Sequence, residues 1–200
     1  MIVVVPFNSK FLQTKYKKQD SDIKKLTKEV LPLLIERLSM DSRISRIEIF
    51  SDLNFDRVLG LSSKIKIIKS NTEEMTRAED VITNYIMTTQ CKQETIVIYN
   101  PLFPFVSIKK MDLLFQRVCN GFANSGVGSY FDAQGLNDEN IAIMDDPGII
   151  SVINKTEFLR QGVRLISPTD TVSLSALELV SLRSEADYEL YGLIINAGLI

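Results

Sequence analysis

The chain has 200 residues, 45% of them hydrophobic and 24% charged, with a formal net charge of −2. This size and composition fit one soluble domain around one core and exclude a disordered chain, and the slightly acidic balance argues against nucleic-acid or membrane binding driven by bulk electrostatics. There is no histidine, so any chemistry must run on Lys, Arg, Asp, Glu, Ser or a metal held by oxygen.

Ile2–Val5 is a β-branched run ended by Pro6. Its lack of apolar–polar alternation predicts a strand buried on both faces, as in a parallel sheet. Residues 7–25 are polar and lysine-rich. A helix is expected from about Leu26 to Leu38, with Val30, Leu34 and Leu38 on one face and Pro32 near its start. Ile44–Phe50 reads as a strand ending at Ser51-Asp52, Asp56–Leu61 as a short helix, Ile65–Ile68 as a strand and Thr76–Thr89 as a helix. Thr95–Tyr99 is a further buried strand, broken after its end by Pro101 and Pro104, and Ile108–Phe122 is a helix whose apolar face carries Met111, Leu114, Phe115 and Val118.

Val127–Phe131 reads as a strand, followed by a loop-rich acidic insertion over residues 132–148. Ile149–Ile153 and Val163–Ile166 read as strands around a short helix, Lys155–Gln161. Another strand is expected within Ser173–Leu182. Ser184-x-x-Asp187 opens the last helix as a capping box. The alternation of strands and helices predicts an α/β fold with a mostly parallel, doubly wound sheet, helices on both faces, in a single domain over residues 1–200. Ligands of such sheets sit beyond the carboxyl ends of the strands, which directs attention to residues 6–18, 51–54 and 99–107.

Cys91 and Cys119 form no CxxC pair, which points to reduced thiols in a cytoplasmic protein rather than to zinc or a disulfide. The apolar run Met1–Val5 is too short for a signal peptide, and no stretch approaches the about 20 apolar residues of a membrane span.

Those three segments carry a resemblance. Val3-Val4-Val5-Pro6-Phe7-Asn8-Ser9-Lys10, with Lys15 five residues on, resembles the opening strand and phosphate loop of the CMP-sugar synthetases, the CMP-Kdo and CMP-sialic acid cytidylyltransferases. In that motif a Ser and two Lys correspond to Ser9, Lys10 and Lys15, whereas the family's Arg and two Gly have no counterpart here. Glu48-Ile49-Phe50-Ser51-Asp52 resembles the family's strand ending in Ser-Thr-Asp. Asn100-Pro101-Leu102-Phe103-Pro104 resembles its Gln-Pro-Thr-Ser-Pro segment, with Asn100 on the base-reading Gln. Gln161-Gly162-Val163-Arg164-Leu165-Ile166 resembles a Gly-Arg-Leu-Ile turn, and Val180–Asp187 resembles the segment Ile-Asp-Ile-Asp-Thr-Glu-Glu-Asp. The resemblance spans nearly the whole chain in the family's order. It implies a Rossmann-like fold of the nucleotide-diphospho-sugar transferase type, CTP as substrate, a sugar or sugar acid as acceptor, pyrophosphate as product, and a homodimer with contacts from 154–175.

Nucleotidyl transfer must gather triphosphate charge and stabilise it in the transition state. The resemblance assigns the catalytic phosphate contacts to Lys10 and Lys15 and the nucleotide contacts to Phe7, Asn8, Ser9, Lys10, Asp52 and Asn100. Each has an alternative: a solvated lysine face for Lys10 and Lys15, a helix cap for Asp52, an Asn-Pro turn for Asn100. Magnesium would be expected, but its two ligand aspartates correspond to Ser181 and Arg183, and an arginine cannot hold a cation. Arg183 could itself take the metal's place against phosphate, or Asp145 and Asp146 could supply carboxylates unless they form a solvated turn. An alternative to catalysis is a degenerate relative acting as a binding or regulatory subunit.

Overall fold

The computed structural model describes residues 1–55, 58, 60–70, 77–129 and 148–198. Among the described residues seven strands form one sheet: β1 (Ile2–Phe7), β2 (Arg46–Ser51), β3 (Ile65–Lys69), β4 (Thr95–Tyr99), β5 (Ser125–Ser129), β6 (Ile150–Asn154) and β7 (Thr169–Ser173). Their order across the sheet is β3-β2-β1-β4-β6-β5-β7. All pairings are parallel except those of β6, which runs antiparallel to both β4 and β5. The helices are α1 (Ser9–Tyr16), α2 (Asp20–Lys25), α3 (Leu31–Met40), α4 (Ala78–Thr89), α5 (Ile108–Cys119), α6 (Lys155–Gln161) and α7 (Glu185–Asn196), with a π-helical segment over Leu26–Val30 joining α2 to α3.

The sheet divides two cores, as a doubly wound fold requires. Val3, Val5 and Phe7 point to one face, against Leu31, Ile35, Met111, Leu114 and Tyr191. Val4 points to the other, against Val81, Tyr85, Ile98 and Phe158. The α/β class, the mostly parallel sheet and the helices on both faces are thus as the sequence predicts.

Several elements depart from expectation. The helix expected from Leu26 begins at Asp20, so Pro32 falls inside a helical run rather than at its start. Proline lacks the N–H for the ladder and its ring crowds the carbonyl one turn back. The five-residue π segment immediately before α3 supplies the wider turn that accommodates it. Residues 163–166 are not a strand; instead the Ile166 N–H donates to the Ser125 hydroxyl at 2.9 Å. The strand expected within Ser173–Leu182 lies earlier, at Thr169–Ser173, where it can pair with β5, and residues 176–179 form a turn. The expected strand Val127–Phe131 begins at Ser125, where Gly126 and Gly128 let α5 and Leu174 approach: a Cβ on Gly126 would lie 2.9 Å from Leu114, and one on Gly128 2.9 Å from Leu174. The expected helix at 56–61 lies in part outside the described residues, and Asp145 and Asp146 lie wholly outside them.

Candidate active site

The carboxyl ends of β1, β2 and β4 meet on one edge of the sheet. β1 is flanked by β2 on one side and β4 on the other, so the direction of winding reverses there, the usual ligand crevice of such sheets. The register Phe7↔Ser51 places the next residues of both strands side by side. Asn8 caps α1, its side-chain oxygen accepting from the Phe11 N–H at 3.0 Å. Its amide nitrogen donates to the Ser70 hydroxyl at 3.3 Å. The Ser9 N–H donates to Asp52 Oδ1 at 2.8 Å, and the Ser9 hydroxyl donates to Asp52 Oδ2. A carboxylate from the chain itself therefore sits on the amino end of α1, where the helix dipole favours an anion.

Asn100 is buried and uses both ends of its amide. Its oxygen accepts from the Leu102 N–H at 3.0 Å, closing the turn expected of Asn-Pro, and its nitrogen donates to the Tyr16 hydroxyl at 2.9 Å. The loop it opens is held from below: Tyr99 donates to the Phe103 carbonyl, and Arg37 reaches both the Tyr99 hydroxyl and the Val106 carbonyl. Burial pushes the Tyr99 phenol up to about 12, so it stays a donor.

Arg183 joins this cluster from the far end of the chain. The Leu182 N–H donates to the Leu102 carbonyl at 2.9 Å, seating residue 183 beside the loop. The Arg183 guanidinium lies 5.4 Å from the Phe103 ring centre and 5.9 Å from that of Tyr16, within cation–π range of both. Its backbone precedes α7, whose capping box is formed as expected: Asp187 accepts from the Arg183 and Ser184 N–H groups. The Lys18 ammonium donates to the Arg183 carbonyl at 3.0 Å. Lys18 is only 4% exposed. Burial pulls its ammonium below the ordinary lysine value, against the opposing pull of Asp22 and Asp187.

Between Asn100 and α4 lies a small crevice lined by Pro6, Tyr16, Asn100, Ser151 and Arg164 among others. Arg164 is buried there and pairs with Glu79 at 2.7 Å. Burial raises the Glu79 carboxyl, but the Arg164 guanidinium outweighs it and holds the carboxyl below the usual range.

The structure thus brings together Ser9 with Asp52, and Asn100 with Arg183 through Tyr16. It does not bring Lys10 and Lys15 together. The segment expected to be a phosphate loop is helix α1, on which residues five apart lie about 140° apart around the axis, and both lysines are exposed. Phe7 is likewise a core residue, its ring edge-on to Phe55 at 5.4 Å and inaccessible to a ligand. Sequence reasoning passed over Tyr16, Lys18 and Phe103. Lys18 was hidden in a lysine-rich run. Lys17 adopts a left-handed conformation (φ 55°) that ends α1 and turns Lys18 inward, and no glycine stands there to signal the turn.

At the position where the resembled family holds magnesium, Arg183 packs its cation on two rings and Ser181 offers only a hydroxyl. Among the described residues no group of three acidic, Cys or His side chains is placed to hold a metal. This donor set does not fit a magnesium ion.

No family model matches the sequence, and no curated protein sequence matches it. Solved structures do match in fold. CMP:2-keto-3-deoxy-manno-octonic acid synthetase complexed with CTP is similar with a TM-score of 0.66 over 98% of both chains, at 9% identity. The 4-diphosphocytidyl-2C-methyl-D-erythritol synthase of Anaerococcus prevotii has a TM-score of 0.60 over 98% of this chain and 95% of its own, at 10% identity. The 2-C-methyl-D-erythritol 4-phosphate cytidylyltransferase of Francisella tularensis has a TM-score of 0.59 over 96% and 98%, at 13% identity. The chain therefore shares its fold with these solved structures. No described helix is long and apolar enough to cross a membrane.

Proposed function

We propose that the protein is a cytidylyltransferase-type nucleotidyltransferase that binds CTP at the β1–β4 crevice and transfers CMP to a hydroxyl of a sugar or sugar acid. The observation that carries this reading is the convergence of Asn100, Tyr16 and Arg183 at the winding-reversal point of a sheet shared with such enzymes. The nucleoside enters beside Asn100, Tyr16 and Ser151, and Arg183 meets the phosphates. The acceptor oxygen attacks the α-phosphorus, the bond from that phosphorus to the bridging oxygen breaks, pyrophosphate leaves, and the hydroxyl proton passes to solvent. Arg183, held by the Leu182–Leu102 and Lys18 contacts, neutralises charge that develops on the phosphates. A cation fixed before the ligand arrives needs no reorganisation during the step.

Calorimetric titration with CTP, ATP, GTP and UTP, each with and without a chelator, tests the reading. CTP is expected to bind in the micromolar range, preferentially and without dependence on divalent cation. Arg183→Ala should weaken it by about tenfold or more, the worth of one charge-assisted contact, and Lys10→Ala should weaken it less. Binding of no nucleotide overturns the proposal.

A homodimer through 154–175 belongs to the same proposal. Leu159 and Val163 in that stretch expose 49% and 41% of their surface, which a partner's contact would cover. Light scattering that gives a monomer mass at high concentration removes this part alone.

A further inference from the structure

A second pocket, of about 230 Å³, opens at the opposite end of the sheet. Arg46 begins β2 and Asp52 follows its end, so six residues of extended chain, about 20 Å, separate this pocket from the crevice above. Arg46 and Glu48 of β2, Lys66 of β3, and Tyr85, Cys91, Lys92 and Gln93 around the carboxyl end of α4 line it. The register Glu48↔Lys66 sets those two side chains on adjacent strands facing α4.

Nothing in nucleotidyl transfer uses this group, and the fold alone does not call for it. Glu48 is 3% exposed, and a carboxylate buried in a sheet is costly unless matched. It is matched by the Tyr85 hydroxyl, which donates to one oxygen, and by Arg46 Nε, 2.8 Å from the other. The Arg46–Glu48 contact lacks hydrogen-bond alignment, and the Arg46 guanidinium makes no other ion pair or hydrogen bond among the described residues. Lys66 and Lys92 have no polar partner among them either. The pocket thus gathers three cations around one carboxylate. The carboxyl end of α4 subtracts about half a charge more, leaving the pocket positive on a protein that is negative overall. Its volume lies below the roughly 300–1,000 Å³ of pockets for drug-sized ligands, which limits an occupant to an anionic group with a few carbon atoms.

We propose that this pocket binds a small phosphate, free or as the ester of a short polyol, with phosphoryl oxygens on Arg46, Lys66 and Lys92 and any hydroxyls on Glu48 and Gln93. Arginine and lysine together satisfy a phosphoryl group, and a carboxylate with spare lone pairs accepts from polyol hydroxyls.

Cys91 reports on the pocket directly. Cys119, the other thiol, is exposed at the end of α5 and is removed as Cys119→Ser. The experiment follows alkylation of Cys91 by N-ethylmaleimide, a neutral reagent, in the nucleotide-free protein. Inorganic phosphate, glycerol 3-phosphate and potassium chloride are titrated at matched ionic strength. Phosphate or its ester should slow alkylation saturably, by about tenfold at ten times the dissociation constant, while chloride should not. Stronger protection by glycerol 3-phosphate identifies an ester as the ligand, and equal protection identifies free phosphate. In the Lys66→Gln/Lys92→Gln variant, whose changes lie on exposed side chains, protection should vanish. Absence of protection, equal protection by chloride, or protection that survives in the double variant overturns the proposal, whatever the outcome of the CTP titration.

Discussion

Asp52 is the residue whose surroundings say most about how the site works. Its carboxylate takes both the N–H and the hydroxyl of Ser9, so it occupies the place where a helix end would receive phosphate. Asp52→Asn removes that charge and keeps a hydrogen-bonding group. The change is expected to tighten CTP binding severalfold, since the like-charge competitor is gone, while weakening the amino end of α1 by about 1 kcal/mol. A loss of CTP affinity in this variant would mean that Asp52 contacts the nucleotide itself. At this scale the sequence was partly legible. Ser9, Asp52 and Asn100 stand where strand ends place them, because a parallel register fixes the position of the residues just past each strand. The segment carrying Lys10 and Lys15 reads as a loop but is helix α1, because an asparagine that caps a helix looks, in sequence, like one more residue of a polar loop. Lys18 and Arg183 lie 165 positions apart in the chain and meet only through tertiary packing.

Among the elements, the junction of α5 with the turn before α7 rests on one carboxylate. Glu178 accepts from the Ser107 N–H at 3.0 Å at the start of α5, from the Ser175 N–H at 2.7 Å, and from Lys110. Burial raises its carboxyl, but Lys110 and the two N–H groups outweigh this and hold it below its ordinary value near 4.5. A lowered carboxylate pKa means that the unfolded chain binds more protons. The contribution is therefore complete above about pH 4.5 and is lost as pH falls through the lowered value. Glu178→Gln should cost about 2 kcal/mol in urea denaturation at pH 7, and the gap to wild type should narrow as the pH is taken below 4. On β5, Gly126→Ala should lower stability by about 1–3 kcal/mol, because the new Cβ meets Leu114 and the packed α5 behind it cannot withdraw; a thermal melt checks this. Strands with buried, β-branched runs, such as Ile2–Phe7 and Thr95–Tyr99, were readable because such runs suit a strand covered on both faces. The strand at Thr169–Ser173 was not, since its alternation is that of an edge strand with four of five residues at least partly exposed.

At the scale of the whole molecule, the alternation of strands and helices was legible and the direction of one strand was not. Periodicity says that Ile150–Asn154 is a buried strand, but not that it runs against its neighbours; only the pairing with β4 and β5 shows that. The same topology separates the two proposed ligand sites onto opposite ends of the sheet, the nucleotide crevice at the carboxyl ends and the basic pocket at the amino ends. Occupation of one should leave the other's affinity unchanged unless the sheet itself transmits strain. A CTP titration repeated in saturating phosphate measures that coupling, and a shift beyond severalfold would show that the two ends communicate.

The Ser9–Asp52 contact also has a bearing on time. A phosphate that uses the amino end of α1 arrives at a position already filled, so the carboxylate must leave before the ligand can settle. Association by that route is an exchange rather than a capture. Its observed rate should climb with ligand concentration and then level off at the rate at which the chain releases its own anion.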